Sequence, residues 1–321
     1  MARCLILSCF IALSLQGISQ DKFEFGKVSI ADFNTDFGED HSAAILWDKG
    51  KTKFLRQNNS IMIRFERETR ILIRKKAGFD YAEIQIPFYS DGYGKTERID
   101  EIVAITHNID SLNGQFTSAR VSADQVYEED INQFWKIKKF VFPDVHEGSI
   151  VEMRYVKETP FLFNPPDWEF QHGIPVRESS YEIWLTPFYE YTYLLQGASR
   201  FDGHNSYKSR QTATFAGLEY NFMVHEYTMR DLPAFEDETF ITSRDDYLVK
   251  LDFQLSRINY PTGGSKEIMT SWPSINNEFL KSDNFGKYLK QAGKEAGDYL
   301  DETGWTSRDN AEDDLRLACA E

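Results

Sequence analysis

The chain has 321 residues, 41% of them hydrophobic and 15% aromatic, which is enough to fill at least one large core and excludes disorder throughout. Its 51 acidic residues outnumber the 36 basic ones, for a formal charge of −15. That balance excludes a nucleic-acid or anionic-lipid footprint carried by overall charge, because both partners select basic surfaces.

The first residues read as an export signal: Arg3, an apolar run from Cys4 to Leu15, then Gly17 and Ser19 as small residues two apart, with cleavage expected after Ser19. The run is shorter than the roughly 20 apolar residues a membrane span needs, so a cleaved leader is favoured over an anchor. The mature chain is therefore expected in the periplasm, outside the cell or at its surface. Cys4 and Cys9 lie in the leader and only Cys319 would remain, which excludes an internal disulfide and any cysteine-pair zinc site.

From Lys53 to about Leu255 short alternating or β-branched segments are separated by turn residues, the pattern of strands. Ile61, Ile63 and Phe65 alternate with Met62, Arg64 and Glu66, and the alternation resumes at Ile71 and Ile73. Ala82, Ile84 and Ile86 repeat it before Pro87. Ile102 to Thr106 should pair with Gln115 to Val121 across an Asn113-Gly114 turn. Trp135 to Phe142 and Ser149 to Tyr155 are expected to form a central hairpin around Pro143-Asp144 and Gly148. Further strands are expected at Tyr181 to Thr186, Tyr191 to Leu195, Thr212 to Phe215 and Tyr220 to Tyr227. Helical periodicity is nearly absent between them, which excludes a parallel α/β sheet with crossover helices.

Near Ile258 the pattern changes. Pro261-Thr-Gly-Gly-Ser265 reads as a flexible break, and Ser271-Trp272-Pro273 as a capped helix entry. Ile275, Phe279, Leu280, Phe285, Tyr288, Leu289 and Ala292 have helical spacing. After Glu295 acidic residues outnumber apolar ones, as in a helix that frays into a solvated tail.

Several phrases then stand together. Phe140-Val-Phe-Pro-Asp-Val145, Glu147-Gly-Ser-Ile-Val-Glu-Met-Arg-Tyr155, Trp168-Glu-Phe-Gln171, Ile174-Pro-Val176, Asp231-Leu-Pro-Ala234 with Glu238-Thr-Phe240, Tyr247 to Leu255, and Ser271-Trp272 with Phe285-Gly286 resemble, in order, the domain of unknown function 3857. In exported proteins of certain Gram-negative bacteria that domain precedes a transglutaminase-like core. The resemblance implies a β-sandwich without assigned chemistry, any catalysis lying in a following core that supplies Cys, His and Asp. The sequence ends at Glu321, where such a core should begin, so either a truncated product or a short branch is implied.

Candidate chemistry is sparse. Cys319 lies two residues from the end, without the Gly-x-Cys turn of a transglutaminase-like nucleophile, and reads as an incidental thiol. His41, His107, His146, His172, His204 and His225 show no metal-ligand spacing. Glu129-Asp130, Glu236-Asp237-Glu238 and Asp245-Asp246 lack the alternating carboxylates of a calcium loop. Trp184, Tyr189, Tyr191 and Tyr193 are the candidate ligand-contact residues, able to stack on a sugar or grip an extended peptide, although packing against a second sheet explains their alternation more simply.

The expectation is a mainly β chain: a signal peptide over 1–19, an antiparallel β-sandwich over 20–257, and a linker with a helical extension over 258–321 pointing toward a missing transglutaminase-like core. It would be a non-catalytic accessory or interaction module of a transglutaminase-like or cysteine-protease-like system, with no cofactor, metal, nucleic acid or membrane span. Its partner would be such a domain or an extracellular polypeptide or glycan. The alternative is a stand-alone glycan- or peptide-binding sandwich.

Overall fold

The computed structural model describes residues 23–38, 40–58, 60–110, 113–163, 165–236, 243–269, 271–283 and 285–303. The expected signal peptide, the Asp237-Glu238 pair and Cys319 lie outside them. The chain is mainly β and divides into two units, 1–254 and 255–321.

In chain order the elements are α1 (Ile30–Phe33), β1 (Ala43–Gln57), β2 (Ser60–Ile73), β3 (Glu83–Tyr89), β4 (Arg98–Ile109), β5 (Phe116–Arg120), β6 (Tyr127–Asp130), β7 (Trp135–Val141), β8 (Ile150–Thr159), β9 (Trp168–Glu169), β10 (Val176–Leu185), β11 (Tyr189–Gln196), β12 (Gly203–Phe215), β13 (Leu218–Leu232), β14 (Lys250–Asn259), β15 (Ser265–Glu267), α2 (Trp272–Lys281) and α3 (Gly286–Thr303). Eight strands form one sheet in the order β12-β13-β10-β1-β2-β8-β4-β5, and β3-β7-β6 form a second. Every pairing in these sheets is antiparallel except β1 with β10, which run parallel.

Turn chemistry closes the hairpins locally. Phe215 pairs with Leu218 across Ala216-Gly217, both at positive φ, the backbone that matches the twist of two-residue hairpins. The expected Asn113-Gly114 turn does join β4 to β5, with Gly114 at φ 68° and Ile109 opposite Phe116.

The expected central hairpin does not form. β7 pairs with β3 and β6 in the small sheet, whereas β8 pairs with β2 and β4 in the large one. The intervening segment is a crossing rather than a turn: Asp144 and Gly148 both have positive φ, the Phe142 amide donates to the Ala82 carbonyl, and the Pro143 carbonyl accepts from the Thr106 hydroxyl. Alternation along the expected hairpin would bury every second residue; Phe140, Phe142 and Tyr155 are buried, the adjacent Ile150 and Val151 are both buried, and Trp135 is 41% exposed.

One core joins the large sheet, through Phe54, Ile63, Phe65, Tyr181, Ile183 and Val224, to Ile86, Phe88 and Phe140 of the small sheet and to Trp168, Leu251 and Phe253. β9 and the first part of β14 supply the last three, pairing antiparallel at Trp168 and Leu251. The opposite face of the large sheet carries a second cluster, Leu46, Trp47, Leu72 and Ile150, covered by Phe23, Phe25, Val28, Phe33 and Phe37 of the N-terminal segment.

In the second unit the end of β14 pairs with β15 around Pro261-Thr-Gly-Gly264, so this stretch, expected as a flexible break, is a hairpin turn with Gly263 and Gly264 at positive φ. Ser271 stands at the N-cap position of α2 and Pro273 in its first turn, as expected, but the Ser271 side chain makes no capping hydrogen bond. The two helices meet where Gly286 lies against the Leu280 carbonyl, so close that a Cβ there would sit 1.8 Å from it, a contact only glycine permits.

Candidate functional site

The four aromatic candidates do not form one surface. Trp184 lies on β10 with the Lys53 ammonium 4.5 Å and the Lys51 ammonium 4.9 Å from its ring centre, and Phe222 meets its edge. Two cations thus occupy the indole face that a sugar ring would use. Tyr189 and Tyr191 pack on Phe54, at 6.3 and 5.4 Å between ring centres. Burial pushes both hydroxyls above their ordinary pKa, and that of Tyr191 donates to the Leu162 carbonyl. Tyr193 is 45% exposed and touches Tyr227 edge-on.

The sheet instead concentrates polar groups in two places that alternation alone did not reveal. On the core face, Asp48 of β1 lies opposite Thr69 of β2 and is fully buried. Arg67 donates to it through Nε at 3.0 Å and Nη2 at 2.6 Å, the Thr69 hydroxyl donates at 2.5 Å, and His172 Nε2 lies 3.2 Å away. Burial disfavours the charged carboxylate, but the Arg67 charge and the hydrogen bonds from His172 and Arg67 outweigh it and hold Asp48 well below the usual carboxylate range. Trp168 roofs this cluster: its indole N–H donates to the Ser179 hydroxyl, Tyr181 stacks on it at 5.3 Å, and the Arg67 guanidinium lies 5.3 Å from its ring centre.

On the other face, Arg70 lies opposite Glu152 of β8, with both side chains buried. Arg70 donates to Glu152 at 2.7 Å, to Asp32 at 3.2 Å and to the carbonyls of Glu24 and Lys27. Glu152 also accepts from the Gly26 amide, and His107 Nε2 lies 3.2 Å away. The N-terminal segment is thereby tied to the sheet through polar contacts as well as rings.

Chemically, both clusters are closed. The Asp48–His172 pair has the carboxylate–imidazole spacing of a catalytic relay, yet Asp48 is already held by Arg67 and Thr69, and the described residues contain no thiol. The remaining histidines divide: β12–β13 pairing brings His204 and His225 together, their rings parallel and 6.2 Å apart, while His41 and His146 stand apart from them. Glu129 and Asp130 pair with Lys139 and Lys136. Among the described residues no group of three His, Cys, Asp or Glu side chains is placed to hold a metal, and no helix is long and apolar enough to cross a membrane.

Open grooves also lie among the described residues. One, of about 670 Å³, lies between Asn34, Thr35 and Phe37 and the ends of β10 and β13 at Arg177 and Asp231. Another, of about 420 Å³, crosses the large sheet between Lys51, Glu66, Glu182 and Glu226, where Lys51 and Glu182 pair at 2.9 Å.

No protein-family model matches this chain, and no curated protein matches it. Solved structures do. One, described as a "putative protease" from Parabacteroides distasonis, superposes with a TM-score of 0.50 at 15% identity, over 68% of this chain and 41% of that one. The likeness is one of fold. This chain therefore spans less than half the length of that solved chain.

Proposed function

We propose that this chain is an exported, non-catalytic β-sandwich module that serves a transglutaminase-like or cysteine-protease-like system as an accessory or interaction part. The observation that carries the reading is the fold likeness to part of a larger chain described as a "putative protease". It agrees in kind with the resemblance of the Phe140 to Tyr155 and Trp168 to Val176 phrases to a domain found ahead of transglutaminase-like cores. The sandwich reading is supported by the single core that joins the large sheet to Phe140 and to Trp168 and Phe253. The non-catalytic reading is supported by the closed Asp48 cluster, whose carboxylate has its hydrogen bonds committed to structure.

The test is to incubate purified mature protein with peptide-amide and amine-donor substrates beside a Cys319→Ala variant. No turnover by either is expected. Turnover by the native chain that disappears in the variant overturns the proposal and makes Cys319 a nucleophile.

A further inference from the structure

Among the described residues of helix α3 all but Gly286 and Gly297 are exposed, and the helix carries its charges in an order that opposes an isolated helix. Its first half, 286–294, contains Lys287, Lys290 and Lys294 and no acid; its second half, 295–303, contains Glu295, Asp298, Asp301 and Glu302 and no base. A helix has a positive N-terminal and a negative C-terminal end, so stabilising charges run acid first and base last. Here the side chains reinforce the dipole instead of offsetting it, which disfavours the helix standing alone. An adjacent helix running the opposite way cancels both contributions.

The apolar residues point to the same arrangement. Leu289, Ala292 and Ala296 follow at spacings of three and four, the seam of a helix that packs against another, in line with Phe285, which precedes α3 and meets the Phe279 ring of α2 edge-on. Phe285 is 50% and Leu289 46% exposed, and both alanines are exposed. Near the middle of α3, Ala292-Gly293 and Ala296-Gly297 are small enough to let a second backbone approach closely. An amphipathic helix whose seam is left open is incompletely packed, because most helical stability in proteins comes from burying that face.

We infer that α3 is a self-association surface through which two copies of this chain pair antiparallel about a two-fold axis between Lys294 and Glu295. The basic half of each helix then lies along the acidic half of the other, and the small residues meet at the crossing. A two-fold contact is self-complementary by construction, which a helix of opposed charged halves satisfies and a parallel pairing of the same helix violates. This surface lies in the second unit and does not depend on the proposed accessory function.

The test uses the mature full-length chain. Sedimentation equilibrium at about 100 μM, a range suited to small transient interfaces, should show a dimer. The triple variant Lys287→Glu, Lys290→Glu, Lys294→Glu sets acid against acid and should weaken association at least tenfold. Adding Glu295→Lys, Asp298→Lys and Glu302→Lys to it restores opposed halves and should restore the dimer, which separates lost pairing from lost folding. Orientation is read by oxidative cross-linking in a Cys319→Ser background. Ala296→Cys, beside the axis, should cross-link to its own copy, whereas Leu289→Cys should not, its two copies being roughly 16 Å apart along the helices. A monomeric native chain, a dimer indifferent to the triple variant, or cross-linking at Leu289→Cys overturns the inference.

Discussion

Arg70 and Glu152 face each other across β2 and β8 at 2.7 Å, both out of solvent, and the N-terminal segment closes over them. A buried pair of this kind adds little net stability over apolar replacements, but removing one partner strands the other charge. The pair does form a polar tie to the N-terminal segment: Arg70 donates to the Glu24 and Lys27 carbonyls and Glu152 accepts from the Gly26 amide.

Arg70→Ala should destabilise the protein by about 3–5 kcal/mol, since Glu152 is left buried without its cation. The double variant Arg70→Met, Glu152→Leu should recover part of that loss, since it removes the stranded charge but still leaves Asp32, the Gly26 amide and His107 without these partners. Urea unfolding midpoints at unchanged slope provide the measurement. A single variant within about 1 kcal/mol of the native chain would show that the pair does not hold the segment.

Acid should destabilise the chain through Asp48. Its carboxyl lies below the ordinary value in the folded protein, so the unfolded chain binds the proton first as pH falls. The contribution is complete above the unfolded carboxylate value of about 3.9 and is lost as pH falls from there toward the folded value. Asp48→Asn should lower stability at pH 7 and flatten the acid limb of a plot of urea midpoint against pH. An acid limb of unchanged steepness in the variant would assign the acid sensitivity elsewhere.

Gly50 is a packing requirement rather than a turn. A Cβ at this position would lie 2.3 Å from Trp168 Cζ3 and 2.8 Å from Tyr181 Cδ2, two rings stacked on each other. Gly50→Ala should cost about 1–3 kcal/mol through overpacking, with a change in Trp168 fluorescence. Unaltered emission and stability would mean that the indole has room to shift.

Legibility in the sequence followed the range of the interactions. The Ile61–Phe65 alternation, the Asn113-Gly114 turn and the Ser271-Trp272-Pro273 helix entry rest on neighbours a few residues apart, and each is found where it was expected. The polar interruption between Phe65 and Ile71 was visible but not its meaning. Arg67 and Thr69 keep the core-facing parity because Asp48, about 20 residues earlier, receives them. Ile150 and Val151 are both buried for a similar reason: the N-terminal segment covers the face of the large sheet that alternation assigns to solvent.

By itself the sequence determined the β class, most strand positions and the change to helix after Ser271, since side-chain periodicity and turn residues act locally. Only the tertiary structure decided that β7 and β8 belong to different sheets, that β1 and β10 run parallel, and that His204 meets His225. Strand partners are chosen by which faces can be buried together over long sequence separations. A period of two specifies a strand's faces but leaves its neighbours open.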